Sequence, residues 1–127
     1  MLDTNVVSAL MRDPRGAVAR RIGALPTPIS MSIVVASELR YGAAKKGSDR
    51  LTATLEQVLA GIDIAPLMGP VDRVYGLLRY RLEREGRPMD ANDLLIAAHA
   101  LTLDRTLVTD DRAFARVPGL RVENWLA

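Results

Sequence analysis

The chain has 127 residues, with 17 Lys and Arg against 15 Asp and Glu, one His and no Cys. Without cysteine there is no disulfide framework, no Cys-type zinc site and no thiol nucleophile, and with His99 alone, paired-imidazole ribonuclease chemistry is excluded as well. A single domain over residues 1–127 is expected, because a chain of this length buries roughly two thirds of its unfolded surface without needing a staple.

The net charge of +2 is close to neutral and does not by itself mark a nucleic-acid partner. Of the cations, only Lys45 and Lys46 are lysine, and the rest are arginine. Arginine grips phosphate through a planar bidentate fork, although a GC-rich genome raises its frequency with no function attached. The start, Met1-Leu2-Asp3-Thr4-Asn5, has no basic segment leading into an apolar run, so it is not a signal peptide. The apolar stretch Leu94 to Ala98 is far short of the ~20 residues that span a bilayer. The expectation is a soluble, cytoplasmic protein with no membrane association.

In chain order, Met1-Leu2 reads as the stub of a strand running into Asp3. Val6, Val7 and Leu10 predict a short helix ending near Asp13-Pro14, and Val18, Ile22 and Leu25 a second over 15–24. Pro28 to Met31 reads as a strand, after which Ser32 caps a helix reaching about Lys45. Another helix over 49–59 precedes the strand Ile62 to Ile64. Val71, Val74, Tyr75, Leu78 and Leu82 form one stripe of an amphipathic helix over 70–85, ended by Gly86 and Pro88. Asn92 or Asp93 caps a helix from Leu94 to Leu103 that is apolar nearly all round and therefore buried. Thr106 to Thr109 predicts a strand, Arg112 to Ala115 a helical turn, and Leu120 to Trp125 a last strand. Strands alternating with helix pairs imply an α/β domain whose mainly parallel sheet is covered on both faces. Ligands of such sheets sit beyond the carboxyl ends of the strands.

Several acids fall at that edge. Asp3 follows the first strand, and Asp110 and Asp111 follow the strand ending at Thr109; a helix cap and an acidic turn are the structural alternatives. Glu38 lies on or beside the apolar face of its helix, where a lone charge is costly unless paired with an arginine or bound to a metal. Asp93 stands at the mouth of the buried helix, free to face the sheet edge if Asn92 makes the cap. Asp90, close by, is a second candidate that reads more readily as a solvated loop acid. If Asp3, Glu38, Asp93 and Asp111 converge, bare anions are unfavourable. Two carboxylates ~5 Å apart repel by roughly 3 kcal/mol at an effective dielectric of ~20. A cation is the natural remedy, and an all-oxygen set selects Mg²⁺ or Mn²⁺ over zinc. Such an ion activates water against a phosphodiester without a protein nucleophile.

Leu2 to Asn5 (LDTN), Ser37 to Gly42 (SELRYG), Asn92 to Ala98 (NDLLIAA) and Leu107 to Asp111 (LVTDD), followed by Phe114, Val117-Pro118-Gly119-Leu120 and Glu123-Asn124-Trp125, occur in the order and spacing of one family. The whole chain resembles the PIN-domain ribonuclease toxins of the VapC type. The resemblance implies a PIN-like fold, with a central five-stranded, mainly parallel sheet between helices and an acidic pocket for Mg²⁺ or Mn²⁺. By position, Asp3, Glu38 and Asp93 match the core metal-site acids and Asp111 the fourth, with Asp110 a weaker claimant. Asp3 and Asp93 would ligate the metal, and Glu38 and Asp111 would do so directly or through water. Asn5 and Thr109 match supporting polar residues. The implied activity is endonucleolytic cleavage of structured RNA such as tRNA. The implied partners are a second copy of the toxin and a cognate VapB-type antitoxin that covers the pocket, with DNA contacted only through the antitoxin. Members generally carry several apolar residues before the first Asp; here only Met1 and Leu2 do, so either the strand is short or it begins before residue 1.

The competing reading is a catalytically silent PIN-like module that binds RNA or protein. A phosphoacceptor receiver domain is disfavoured because it needs a lysine after its last strand. Gly42 to Ser48 lacks the lysine and preceding strand of a phosphate loop. His99 reads as a packed helix residue, and Trp125 as core or dimer contact. Setting the four proposed ligands aside leaves 17 cations against 11 anions, an acidic pocket in a basic surface.

Overall fold

The computed structural model describes residues 1–126; Ala127, the last residue of the expected domain, lies outside them. Helices dominate, and in each case the local sequence gives the reason. Asp3 precedes α1 (Thr4–Arg12), and its carboxylate accepts from the Thr4 backbone N–H at 2.8 Å. The helix stops at Asp13 before Pro14, which cannot continue it. A shorter α2 (Ala17–Gly23) buries Val18. Ser32 caps α3 (Ile33–Lys46) by accepting from Val34 N–H at 3.1 Å, and Gly47, at φ 64°, ends it in the left-handed conformation that glycine adopts without a Cβ clash. Ser48 then caps α4 (Asp49–Ala60).

The amphipathic stripe predicted over 70–85 is α5 (Val71–Arg84), which buries Val71, Leu78 and Leu82. It packs extensively against α6 (Ala91–Thr102). The face of α6 is as apolar as expected: Leu94, Ile96, Ala97, Ala98, His99 and Ala100 are all buried. A large aliphatic side chain buried here contributes about 1.5–3 kcal/mol relative to exposure, so this helix pair is a main anchor of the core. Its capping departs from expectation. Asp90, not Asn92 or Asp93, is the N-cap, accepting from Asn92 N–H at 3.1 Å. The backbone leaves Pro88-Met89 with Asp90 extended, at φ −55° and ψ 143°, so the first acid of the run reaches the free N–H groups.

The strands are shorter than predicted except the one expected at Ile62 to Ile64, which keeps three residues and shifts by one. β1 (Ser30–Ser32) runs parallel to β2 (Asp63–Ala65), with Met31 opposite Ile64. β3 (Leu107–Val108) runs parallel to β4 (Val122–Glu123). Residues 1–3 lie between the two pairs: Leu2 N–H donates to Ser30 C=O at 2.7 Å, and Asp3 N–H to Val108 C=O at 2.9 Å. Leu2 forms a parallel bridge with Val108. Prolines bound the segments, since Pro28 and Pro66 offer no N–H to extend β1 backwards or β2 forwards. The last strand covers two residues of the predicted 120–125, because Leu120 N–H turns back to Val117 C=O after Gly119 at φ 78°. The helical turn after β3 is a 3₁₀ turn, Arg112–Arg116, which buries Phe114.

Candidate active site

Asp3 and Asp111 stand where residues 1–3 run into α1 and where β3 leads into the 3₁₀ turn. Asp3 is 5% exposed. Its Oδ1 caps α1, and its Oδ2 accepts from Thr109 Oγ at 2.7 Å. Burial raises its pKa, the Thr109 and Thr4 hydrogen bonds oppose the rise, and the charges of Asp111 and Asp110 add to it. Thr109 joins two of the acids, since its hydroxyl also accepts from the Asp111 backbone N–H at 3.1 Å. Asp111 in turn caps the 3₁₀ turn by accepting from Ala113 N–H at 2.9 Å.

Glu38 projects from the middle of α3, half-buried, with Oε1 accepting from Thr4 Oγ at 2.8 Å. The arginine partner that would make it a structural ion pair is absent, because Arg40, two residues on, is paired with Glu56. Asp93 sits in the first turn of α6, relieved of capping by Asp90. Its pKa is raised to about 6, first by burial and then by the charges of Asp3, Asp111, Asp90 and Glu38. Asp93 thus feels the charge of each of the other three predicted acids. None of the four forms an ion pair with Lys or Arg among the described residues.

Residues 1–120 match the PIN domain family. The chain belongs to the PIN-domain family. A ribonuclease VapC2 from Rickettsia felis is 36% identical over 129 residues, covering 98% of this chain and 96% of the relative. A tRNA(fMet)-specific endonuclease VapC from Shigella flexneri is 34% identical over 127 residues, covering 98% and 96%. Among solved structures, VapBC2 from R. felis bound to a DNA fragment from their promoter superposes with a TM-score of 0.93 at 33% identity, covering 98% of this chain and 97% of that one. VapBC-1 from nontypeable Haemophilus influenzae gives 0.89 at 30% identity, covering 100% and 98%.

Within this PIN domain the supporting residues divide. Thr109 touches the buried acid directly, whereas Asn5 is exposed and donates to Asp110 Oδ1 at 2.8 Å. Asp110 is exposed and tied to Asn5, and Asp90 is exposed and capping α6. Thr4 holds Glu38 and was not singled out from the sequence. The available signal was its place in the first turn of α1, directly after an acid at the sheet edge. His99 is away from these acids, 1% exposed, with Nδ1 2.8 Å from Ser32 Oγ. It is the packed residue the sequence suggested.

All the donors in the pocket are carboxylates and hydroxyls, which suit a hard divalent cation. Among the described residues no three His, Asp or Glu side chains are gathered closely enough to hold a metal ion between them. An ion held by oxygen donors spaced more widely than that would keep several of its waters and take substrate oxygens as further ligands.

Proposed function

We propose that this PIN domain, comprising the single unit 1–127, is the toxin of a VapBC-type pair and an endoribonuclease that hydrolyses phosphodiesters of structured RNA in the cytoplasm, using Mg²⁺ with Mn²⁺ as a substitute. The observation that carries the proposal is the hydrogen-bonded chain in which Thr109 joins Asp3 to Asp111 and Thr4 joins Asp3 to Glu38, with the charges of all three pushing the Asp93 carboxyl up. Such unrelieved repulsion among carboxylates is a cost to the fold that a bound cation would offset.

Asp3 and Asp93 would hold the metal, and Glu38 and Asp111 would do so directly or through water. The bound ion would lower the pKa of an attacking water and neutralise charge building on the phosphate. The protein's own groups position it. Thr4 N–H and Thr109 fix the two oxygens of Asp3, and Thr4 Oγ fixes Glu38. With no thiol in the chain and His99 sealed beneath Ser32, water is the available nucleophile.

The tRNA-specific relative supports tRNA as the substrate class. Solved VapBC complexes, one of them on promoter DNA, support a VapB-type antitoxin that covers the pocket and makes the DNA contact. The same reading includes a homodimer, supported by the exposed Leu77 and Tyr80 on α5 and Tyr41 on α3. No helix of the described residues is long and apolar enough to cross a membrane.

The test is incubation of the purified protein with total tRNA in Mg²⁺, with and without chelator. Cleavage that needs the ion and disappears in Asp3→Asn, Glu38→Gln and Asp93→Asn supports the reading. Metal-dependent cleavage surviving in all three variants overturns the site, and binding of RNA without turnover establishes the silent module instead.

A further inference from the structure

We infer that the cleft beginning at Thr4 and Glu38 is the track for the RNA backbone flanking the scissile phosphate, with Arg12, Lys46 and Arg50 as its phosphate contacts. The inference rests on the endoribonuclease reading above. The cleft has a volume of about 620 Å³ and lies between α1, α3 and α4. Glu38, hydrogen-bonded to the Thr4 that follows Asp3, is the one acid in its lining; Arg12, Lys46 and Arg50 also line it. All three cations are exposed, and none makes an ion pair or side-chain hydrogen bond among the described residues.

A polyanion approaching four carboxylates is repelled unless positive charge lies beside its path. A scissile phosphate at the acids also obliges the neighbouring nucleotides to leave along the surface next to them. This cleft adjoins Glu38 directly, and the half-buried Met11 and Leu51 give it apolar surface against which bases can rest. Arg50 is the most telling of the three. Lys46 and Arg12 stand in the last turns of their helices, where a cation complements the dipole, but Arg50 is in the first turn of α4, where the dipole disfavours it. A bound phosphate would be attracted both by the α4 amino end and by Arg50. Arg40, on the neighbouring surface of α3, is by contrast neutralised by Glu56.

The experiment measures binding of a fluorescent single-stranded RNA to full-length Asp93→Asn protein across a KCl series, with and without Arg12→Gln, Lys46→Gln and Arg50→Gln combined. Each phosphate contact on a single strand contributes ~0.7 to the slope of log K against log salt, so the triple variant is expected to lower that slope by ~2. In the catalytically intact background the same substitutions raise KM while kcat holds. Arg73→Gln with Arg87→Gln, free cations elsewhere on the surface, leaves both readouts unchanged. If wild-type protein cleaves RNA but the triple variant keeps its salt slope and KM, the track is wrong. If the triple variant loses antitoxin binding alone, the cleft serves a protein and the proposal is overturned. If the slope falls as expected while wild-type protein cleaves no RNA under any metal, the track stands and the endoribonuclease reading fails.

Discussion

Replacing Asp93 by Asn should stabilise the metal-free protein at neutral pH while abolishing its activity. The folded protein holds the Asp93 carboxyl at about 6 against an ordinary 3.8, first because of burial and then because of Asp3, Asp111, Asp90 and Glu38. At 1.36 kcal/mol per pKa unit this gap corresponds to roughly 3 kcal/mol. Asp93 is only partly buried, and solvent screening reduces the figure to about 1–1.5 kcal/mol. Because the pKa is raised on folding, the favourable contribution of Asp93 is fully present below about 3.8 and is lost as pH rises through about 6. The amide carries no charge and avoids that loss. Thermal or urea unfolding in chelator should therefore show Asp93→Asn more stable at pH 7.5, by roughly 3–6 °C in Tm, with the gap narrowing below pH 6 and closing toward pH 4. Adding a divalent ion should reverse the order, since saturation of wild-type protein at 100 times Kd contributes about 2.7 kcal/mol and the variant binds the ion poorly. A variant that is equally or less stable than wild type in chelator at pH 7.5, or a gap indifferent to pH, would refute the reasoning.

Asp111→Asn should reduce RNA cleavage more than Asp110→Asn, because Asp111 borders the buried acids while Asp110 is exposed and held by Asn5; equal losses in a turnover assay would leave the fourth acid unassigned. Thr109→Val removes the donor to Asp3 and the acceptor for Asp111 N–H, and should weaken metal affinity or activity by about 10–100-fold, with Thr109→Ser restoring most of it in a metal titration. Thr4→Val should likewise raise the metal concentration needed for half-maximal cleavage, by freeing Glu38. Phe114→Ala, at a fully buried position, should cost about 3–5 kcal/mol in urea unfolding; a loss under 1 kcal/mol would mean that the 3₁₀ turn is not anchored in the core.

Most helices were legible because each carries its own punctuation. Ser32 and Ser48 accept from N–H groups two and three residues on, Gly47 and Gly86 take positive φ, and the stripe of α5 repeats at helical spacing. The strands were less legible because their extent is set by partners distant in sequence. Leu2 lies between Ser30 and Val108, a relation that no local pattern around residue 2 encodes. The cap of α6 was misread for a different reason. Asp90, Asn92 and Asp93 are all good capping residues, and the choice depends on the backbone angle at which the chain leaves Pro88 and Met89. With the exposed Asp90 as the cap, the Asp93 carboxylate is not taken up by the end of α6.

Capping and metal binding were set against each other at Asp3, and the structure removes the opposition. An ionised carboxylate has about four lone-pair sites on two oxygens. At Asp3 one is taken by Thr4 N–H and another, on the second oxygen, by Thr109 Oγ, so each oxygen retains a site. Those two hydrogen bonds also orient the carboxylate and partly offset its burial, so capping leaves it able to serve as the ligand proposed above. The same economy appears at Glu38, where Thr4 satisfies one oxygen from the first turn of the helix that Asp3 caps. A short segment, Asp3-Thr4, thus starts α1, supplies one acid and orients another. A substitution at Thr4 should therefore register in metal affinity before it registers in stability.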